Sequence, residues 1–283
     1  MYCYFDGQFM PISEVSISPM DHGFLYGVGF FETFRTYEGY IIDKELHEER
    51  MNRALKDVRI SLDYSFDEVE RWCRRLNEEE GGRDGYFRWN VYAGEEGIGM
   101  AADRYDHPHH LLLRKPLQRT ERGTSKRGFI LEHRRNTPES SMRHKSFNFL
   151  NNVKARQEVT SLATEEGILL NADGFVTEGV TSNIFWVKDC VVYTPSRETG
   201  LLEGTLRHRL LQLARQHYEV EVGCYEPSDL LNADEVWVTN AVQELVPLHE
   251  IDHVSFLGKE GPVYSDLHEQ YTEYVKERVS EQC

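Results

Sequence analysis

The sequence predicts a two-domain fold that mixes α-helix with β-strand. Three observations carry this. Stretches rich in aromatic and β-branched residues alternate with amphipathic helical stretches along the whole chain. A polar segment with Gly123, Thr124 and Ser125 separates two such mixtures near residue 120. The length of 283 residues suits two modest domains or one large one, at roughly 100–200 residues per domain. The polar segment favours two, with residues 1–115 as the first domain, 116–126 as the linker and 127–283 as the second.

The elements follow in order. Asp6-Gly7 between Tyr4-Phe5 and Phe9-Met10 is a hairpin signal. Phe30 to Tyr37 is a strand, and Glu38-Gly39 turns it back into Tyr40-Ile41-Ile42. Lys44 to Val58 is helical, with Leu46, Met51 and Leu55 in one stripe. A second helix starts at Ser65, where Ser65 and Glu68 form a capping-box pattern ahead of Val69, Trp72 and Leu76. Strands follow at Tyr86–Tyr92 and His110–Arg114.

Beyond the linker come a strand over Phe129–His133, a polar loop through Pro138, and a helix from Phe149 to Thr164. That helix places Leu150, Val153, Val159 and Leu162 near one face. Strands are then expected at Ile168–Asn171, Ser182–Val187 and Val191–Tyr193, with a turn at Asp173-Gly174. A helix over Thr205–Tyr218 opens after Gly204, a short helical segment lies near Leu230, and Glu235–Thr239 is a strand. A final amphipathic helix runs from Ser265 to Val279.

Composition bounds the function. Apolar residues make up 40% and charged residues 28% of the chain, so a buried core is expected and wholesale disorder is not. No apolar run approaches the ~18 residues of a membrane-spanning helix. The opening MYCYFDGQFM lacks the basic-then-apolar order of a secretory signal. A net charge of −16 argues against nucleic-acid binding and for a soluble protein, while leaving room for a local cationic pocket. Five scattered cysteines without a CxxC pair suit a reducing cytoplasm.

Several apparent motifs fail on context. Gly97-x-Gly99-x-x-Ala102 has the spacing of a dinucleotide fingerprint, but Asp103 to Pro108 is poor helix material where a helix is required. His47-Glu48 begins like a zinc-protease helix, yet Met51 stands where the second histidine belongs. His107, His109 and His110 surround Pro108 without a cysteine, which reads as a loop cluster rather than a metal site. No phosphate-loop or serine-elbow motif is present.

Lysine is scarce, at 9 of the 32 basic residues, which draws attention to Lys145. It sits in Arg143-His144-Lys145-Ser146-Phe147-Asn148-Phe149. Cationic and apolar neighbours lower an amine's pKa, as a Schiff-base lysine needs; a surface lysine at a helix start is the plainer reading. Glu178 lies among small and apolar residues in Val176 to Phe185, either capping a turn or held against a cation. Gly204 ahead of Thr205-Leu206-Arg207 can open a helix N-terminus to a phosphate, or serve as an ordinary cap. Arg50 can add a cationic fork to that phosphate, and Thr239-Asn240-Ala241 further donors.

Together these segments resemble the fold-type IV pyridoxal-phosphate enzymes, a family that includes branched-chain and D-amino-acid aminotransferases and aminodeoxychorismate lyases. The resemblance rests on Asp21 to Gly27 with Phe31-Glu32, His47-x-x-Arg50, Lys145-Ser146-x-Asn148, Thr177-Glu178-Gly179 with Ser182-Asn183, and Gly204-Thr205-Leu206-Arg207. These segments fall in the family's order and span nearly the whole chain. SPMDHGFLYG, RRNTPES, Leu150-Asn151-Asn152 and TPSRETG are most similar to aminodeoxychorismate lyases of the Bacillus type.

The resemblance implies two α/β domains, the cofactor pyridoxal 5′-phosphate in the cleft between them, and a homodimer. It implies that Lys145, in the second domain, forms the Schiff base and shuttles the proton, and that Glu178 pairs with the protonated ring nitrogen. Arg50, Gly204, Thr205, Leu206, Asn240 and Ala241 would hold the phosphate, and Phe31 and Arg88 would face the substrate.

Two departures stand out. The family commonly has a Tyr where Phe149 stands, bonding the cofactor's phenolic oxygen, and a Thr where Leu206 stands. Ala93 occupies the place of an Arg that marks the D-amino-acid enzymes, whereas Tyr86-Phe87-Arg88 and Gly94-x-x-Gly97-x-Gly99 resemble the branched-chain ones. The implied reaction is 4-amino-4-deoxychorismate to pyruvate and 4-aminobenzoate. An aminotransferase remains the alternative, because both reactions need the same lysine and acid. A catalytically silent binding protein on this fold is a third reading, opposed by intact Lys145, Glu178 and Arg50.

Overall fold

A computed structural model describes residues 1–100, 103–117 and 124–282. It divides into two compact units: Met1–Gln118 with His144–Asn148 and Glu277–Cys283, and Arg119–Arg143 with Phe149–Lys276.

The first unit is built on a six-stranded antiparallel sheet. Its strands are β1 (Tyr2–Phe5), β2 (Gln8–Pro11), β3 (Gly29–Tyr37), β4 (Tyr40–Ile41), β5 (Gly85–Tyr92) and β6 (His109–Pro116), in the order β2-β1-β6-β5-β3-β4. Both tight hairpins use left-handed backbone at their turns: Asp6 and Gly7 have φ of 43° and 88°, Glu38 and Gly39 53° and 89°. That conformation matches the strand twist. Three helices accompany the sheet: α1 (His22–Tyr26), α2 (Lys44–Asp57) and α3 (Phe66–Glu79). The expected capping box forms, with the Ser65 hydroxyl accepting from the Glu68 N–H and the Glu68 carboxylate accepting from the Ser65 N–H.

Pleating decides what this sheet presents. Phe34 of β3 and Phe87 and Trp89 of β5 join Met51 and Leu55 of α2 and Phe66, Val69 and Leu76 of α3 in one core. The alternate residues Phe31, Arg88 and Asn90 therefore lie on the other face. Loop position Gly94 has φ of 87°, and a Cβ there would collide with the His107 carbonyl. Gly97 and Gly99 also adopt positive φ, in a loop rather than a helix entrance, and Ala102 of that apparent fingerprint lies outside the described residues.

The second unit holds a nine-stranded mixed sheet of β7 (Lys126–Ile130), β8 (Glu165–Leu170), β9 (Val176–Gly179), β10 (Asn183–Lys188), β11 (Val191–Pro195), β12 (Glu219–Gly223), β13 (Glu235–Asn240), β14 (Glu244–Ile251) and β15 (Val254–Ser255). The order is β12-β11-β10-β13-β14-β7-β8-β9, with β15 on β14. Helices α4 (Leu150–Gln157), α5 (Thr205–Ala214), α6 (Pro227–Leu231) and α7 (Pro262–Ser280) complete the elements. Ile168, Ile184, Trp186, Val236, Val238, Val246 and Leu248 form the main core.

Three expectations change. The strand expected at Phe129–His133 begins earlier, at Lys126, because the Lys126 ammonium is buried against Glu166 at 3.4 Å. The expected linker therefore ends in a strand, and its residues 118–123 lie outside the described ones. The helix expected over Phe149–Thr164 stops at Gln157 and turns its other face inward. Asn152 and Ala155 are buried, while Leu150 and Val153 are exposed. Carbonyls just past the helix are taken by the Arg156 guanidinium, and the Glu158 carboxylate caps the N–H groups of Glu132 and His133, so the chain bends away. The segment His144–Asn148, expected after the linker in the second domain, groups with the first unit. It lies against β3, with a bridge between Phe30 and Ser146.

Candidate active site

In the first unit, the site is built where β3 and β5 run side by side, with Phe31 opposite Asn90 and Thr33 opposite Arg88. The Phe31 N–H donates to the Lys145 carbonyl at 2.9 Å, and the Phe147 N–H donates to the Gly29 carbonyl at 2.9 Å. These bonds fix the Lys145 backbone along the start of β3. The Lys145 ammonium then lies 4.7 Å from the centre of the Phe31 ring, and the Arg88 guanidinium 3.5 Å from the same centre. Two cations thus share one buried aromatic ring. Arg88 Nε donates to Asn90 Oδ1 at 2.8 Å. Burial pulls the Arg88 guanidinium below its ordinary pKa, against a smaller opposing effect of Tyr86.

The opposite face of β3 treats its arginine differently. Glu32, 1% exposed, points toward α2. It accepts from Arg50 Nε at 2.8 Å and Nη2 at 2.5 Å, and from His47 Nδ1 at 2.7 Å. Burial alone would raise the Glu32 carboxyl, but the Arg50 charge and these bonds overcome it and hold the value at about 2. His47, the apparent start of a zinc helix, is thus engaged with a carboxylate. His109 Nδ1 likewise meets Asp6 Oδ2 at 2.5 Å, and among the described residues no His/Cys/Asp/Glu group could hold a metal.

A prediction follows for Arg50→Met. Removing one partner of a buried pair costs about 3–5 kcal/mol, which urea unfolding at pH 7 measures. Because the folded-state value of Glu32 lies below its usual 4.5, its stabilising effect is complete above that pH and is lost as the pH falls toward 2. In the variant the Arg50 charge no longer opposes burial, so the Glu32 carboxyl rises, and part of the lost stability is expected to return as the pH falls and that carboxyl is protonated.

In the second unit, Glu178 sits on β9 and is 4% exposed. Both carboxylate oxygens are held: Oε1 accepts from Arg135 Nε at 2.7 Å and Oε2 from the Leu202 N–H at 3.0 Å. Arg135 Nη1 is oriented by Asn151 Oδ1 at 2.7 Å and Asn152 Oδ1 at 3.2 Å, while Asn152 Nδ2 donates to the Val180 carbonyl at 2.7 Å. Arg143 donates to the Gly200 carbonyl at 2.6 Å; burial first, and then the Arg135 charge, push its pKa down to about 10.

The entrance of α5 is shaped for an anion. Its N-cap, Gly204, makes no side-chain cap hydrogen bond, and the first N–H groups of any helix lack intrahelical acceptors. A Cβ on Gly204 would collide with Asn183 Oδ1. Asn183 accepts from the Gly204 N–H at 3.2 Å and donates to the Leu202 carbonyl at 2.7 Å, which sets that approach. Opposite Asn183 across β10 and β13 is Thr239, whose buried Oγ1 has no hydrogen-bond partner among the described residues. Asn240 Oδ1 takes the N–H groups of Val242 and Gln243 at 3.0 and 2.8 Å, folding the turn that carries Ala241. An orphaned hydroxyl on β13 and a helix entrance without a side-chain cap are donor chemistry that fits a phosphate.

The structure therefore places Phe31, Arg88 and Lys145 together, with Arg50 on the far face of β3. In the second unit it sets Glu178, Gly204, Thr205, Leu206, Asn240 and Ala241 around β9, α5 and the turn after β13. Leu206 turns its side chain into the core, and Phe149 is the N-cap of α4. Sequence reading gave no role to Glu32, His47, Asn90, Arg135 or Asn183, while it offered Thr239 as a donor. Glu32 had a usable signal, since an acid at a core-facing strand position requires a partner.

An amine presented on an aromatic ring, a buried carboxylate paired with a guanidinium and a prepared phosphate cup are what enzymes working with pyridoxal 5′-phosphate require. The chain belongs to the amino-transferase class IV family, whose model matches residues 29–251. It is 40% identical over 281 residues to the aminodeoxychorismate lyase of Bacillus subtilis (strain 168), covering 98% of this chain and 96% of that protein. Among solved structures it resembles the 4-amino-4-deoxychorismate lyase from Pseudomonas aeruginosa, with a TM-score of 0.84, 26% identity, and 96% and 98% of the two chains covered. It also resembles a T.th. branched-chain amino acid aminotransferase with pyridoxamine 5′-phosphate, with a TM-score of 0.86, 26% identity, and 98% and 94% covered. The mixed α/β fold is that of the fold-type IV enzymes, and pyridoxal 5′-phosphate is the family's cofactor.

Proposed function

We propose that the chain is a pyridoxal-phosphate-dependent 4-amino-4-deoxychorismate lyase that releases pyruvate and 4-aminobenzoate. The observation that carries this reading is the likeness, over nearly the full length, to the Bacillus subtilis lyase. The residues around Lys145 and Glu178 supply the chemistry it needs.

When bound, the cofactor supplies an aldehyde for the substrate amine and a ring that accepts the electron pair left by deprotonation. Arg50, the N–H groups of Thr205 and Leu206 behind Gly204, and the Asn240-Ala241 turn hold its phosphate. Lys145 Nζ, as a free amine, would take the proton from the carbon that bears the substrate's amine. Glu178, held in place by Arg135, keeps the proton on the ring nitrogen. Phe31 shields Lys145 from water, and Arg88 receives a substrate carboxylate. Loss of enolpyruvate, which becomes pyruvate on protonation, leaves an aromatic ring, and aromatisation supplies the driving force.

The reading includes a homodimer in the cytoplasm, where the free thiols Cys3, Cys73, Cys190 and Cys224 stay reduced. Among the described residues no helix is long and apolar enough to cross a membrane.

An aminotransferase is the second reading, favoured by Tyr86-Phe87-Arg88 on β5 and by the likeness to the T.th. aminotransferase. The deciding experiment is incubation with enzymatically made aminodeoxychorismate and detection of 4-aminobenzoate. Release is expected. Its absence, together with keto-acid formation from amino acids and 2-oxoglutarate, would replace the lyase by the aminotransferase. Purified protein that stays colourless with added cofactor would replace both by a silent protein.

A further inference from the structure

We propose that Asn90 is a positioning residue that keeps Arg88 as an un-neutralised receptor for a substrate carboxylate. The inference rests on the reading that Arg88 faces substrate, and deepens it.

Three observations support it. First, Arg88 is half-buried, stacked on Phe31 at 3.5 Å, and among the described residues meets no carboxylate. Its one hydrogen bond there is from Nε to Asn90 Oδ1, at 2.8 Å. The terminal nitrogens, the fork that binds a carboxylate through two parallel bonds, are left to an outside acceptor.

Second, Asn90 is only 7% exposed and itself held. Its Nδ2 donates to the Leu111 carbonyl at 3.2 Å, which turns Oδ1 toward Arg88. The amide acts as a neutral clamp: it fixes Nε and the plane of the guanidinium without cancelling the charge. Alternation along β5 keeps residues 88 and 90 on one face, beside Phe31 of β3.

Third, the same sheet shows the opposite arrangement. On the other face of β3, Glu32 takes two hydrogen bonds from Arg50 and pairs its charge. An acid at position 90 would do the same to Arg88. A neutral acceptor there leaves a desolvated cation whose best partner is an incoming anion, since a buried charge without a counter-ion is costly.

The test is Asn90→Asp, which keeps the side-chain shape and adds the missing counter-charge, beside Asn90→Ala and Arg88→Met. For the substrate that turnover assays identify, Asn90→Asp is expected to raise KM at least tenfold and to leave kcat within about threefold, the pattern of lost uniform binding. Asn90→Ala is expected to raise KM severalfold by loosening the guanidinium. Calorimetric binding of 4-aminobenzoate to the cofactor-loaded protein should weaken in the same order. The KM expectation is the same for a lyase or an aminotransferase, because both substrates bring a carboxylate. Circular dichroism and the thermal midpoint check folding.

An unchanged KM and unchanged 4-aminobenzoate affinity in folded Asn90→Asp overturn the proposal. If that variant does not fold, the same two values in Asn90→Ala decide it. Wild-type values in Arg88→Met would instead overturn the underlying reading of Arg88.

Discussion

Lys145→Ala is expected to abolish turnover and to leave the purified, cofactor-loaded protein without its long-wavelength absorbance. Removing a covalent nucleophile and a proton shuttle in one substitution typically costs several orders of magnitude. The geometry makes this a clean experiment. The bonds that tie residue 145 to β3 run through its backbone carbonyl and through Phe147, and an alanine keeps both. Among the contacts the fold loses is that of the ammonium with the Phe31 ring, about 0.5–1 kcal/mol for such a pair. Activity and colour are therefore expected to vanish while the thermal midpoint barely moves. Borohydride reduction of the wild type followed by peptide mapping should place the label on Lys145. Full steady-state activity in the variant, or a label elsewhere, would remove the basis of the proposed function.

How much of this was legible in the sequence depends on the kind of interaction. Hairpins were readable because their turns are local: Asp6-Gly7 and Glu38-Gly39 supply left-handed backbone within two residues. The α3 start was readable for the same reason, since Ser65 and Glu68 satisfy each other three positions apart. By contrast, α4 was overextended, because what ends it comes from outside its own pattern. Glu158 reaches back to the N–H groups of residues 132 and 133. β14, missed in the sequence, contains Pro247 and a central run of buried residues, and no alternation marks it. The site divided along the same line. Lys145, Glu178 and Arg50 could be singled out by their neighbours in sequence. The partners that tune them, Arg135 and Glu32, lie 43 and 18 positions away and nothing local announces them.

Glu178→Ala has the second largest expected effect, and its consequences separate into two parts. For function, the carboxylate proposed to keep the ring nitrogen protonated is gone, and the rate is expected to fall by orders of magnitude, because the electron sink weakens. For the fold, Arg135 is left buried with the amide oxygens of Asn136, Asn151 and Asn152 but no carboxylate. Losing one member of such a pair costs about 3–5 kcal/mol, with the nearby Arg143 charge adding to the strain. A fall in rate alone could then be blamed on partial unfolding. The double substitution Arg135→Met with Glu178→Ala distinguishes the two. It removes both charges and replaces the guanidinium by an apolar side chain, so urea unfolding should return most of the lost stability. The rate should stay low, because the partner of the ring nitrogen is still absent. Recovery of rate together with stability would mean that Glu178 serves the fold and that the electron sink is maintained by another group. A near-normal rate in Glu178→Ala itself would lead to the same conclusion directly.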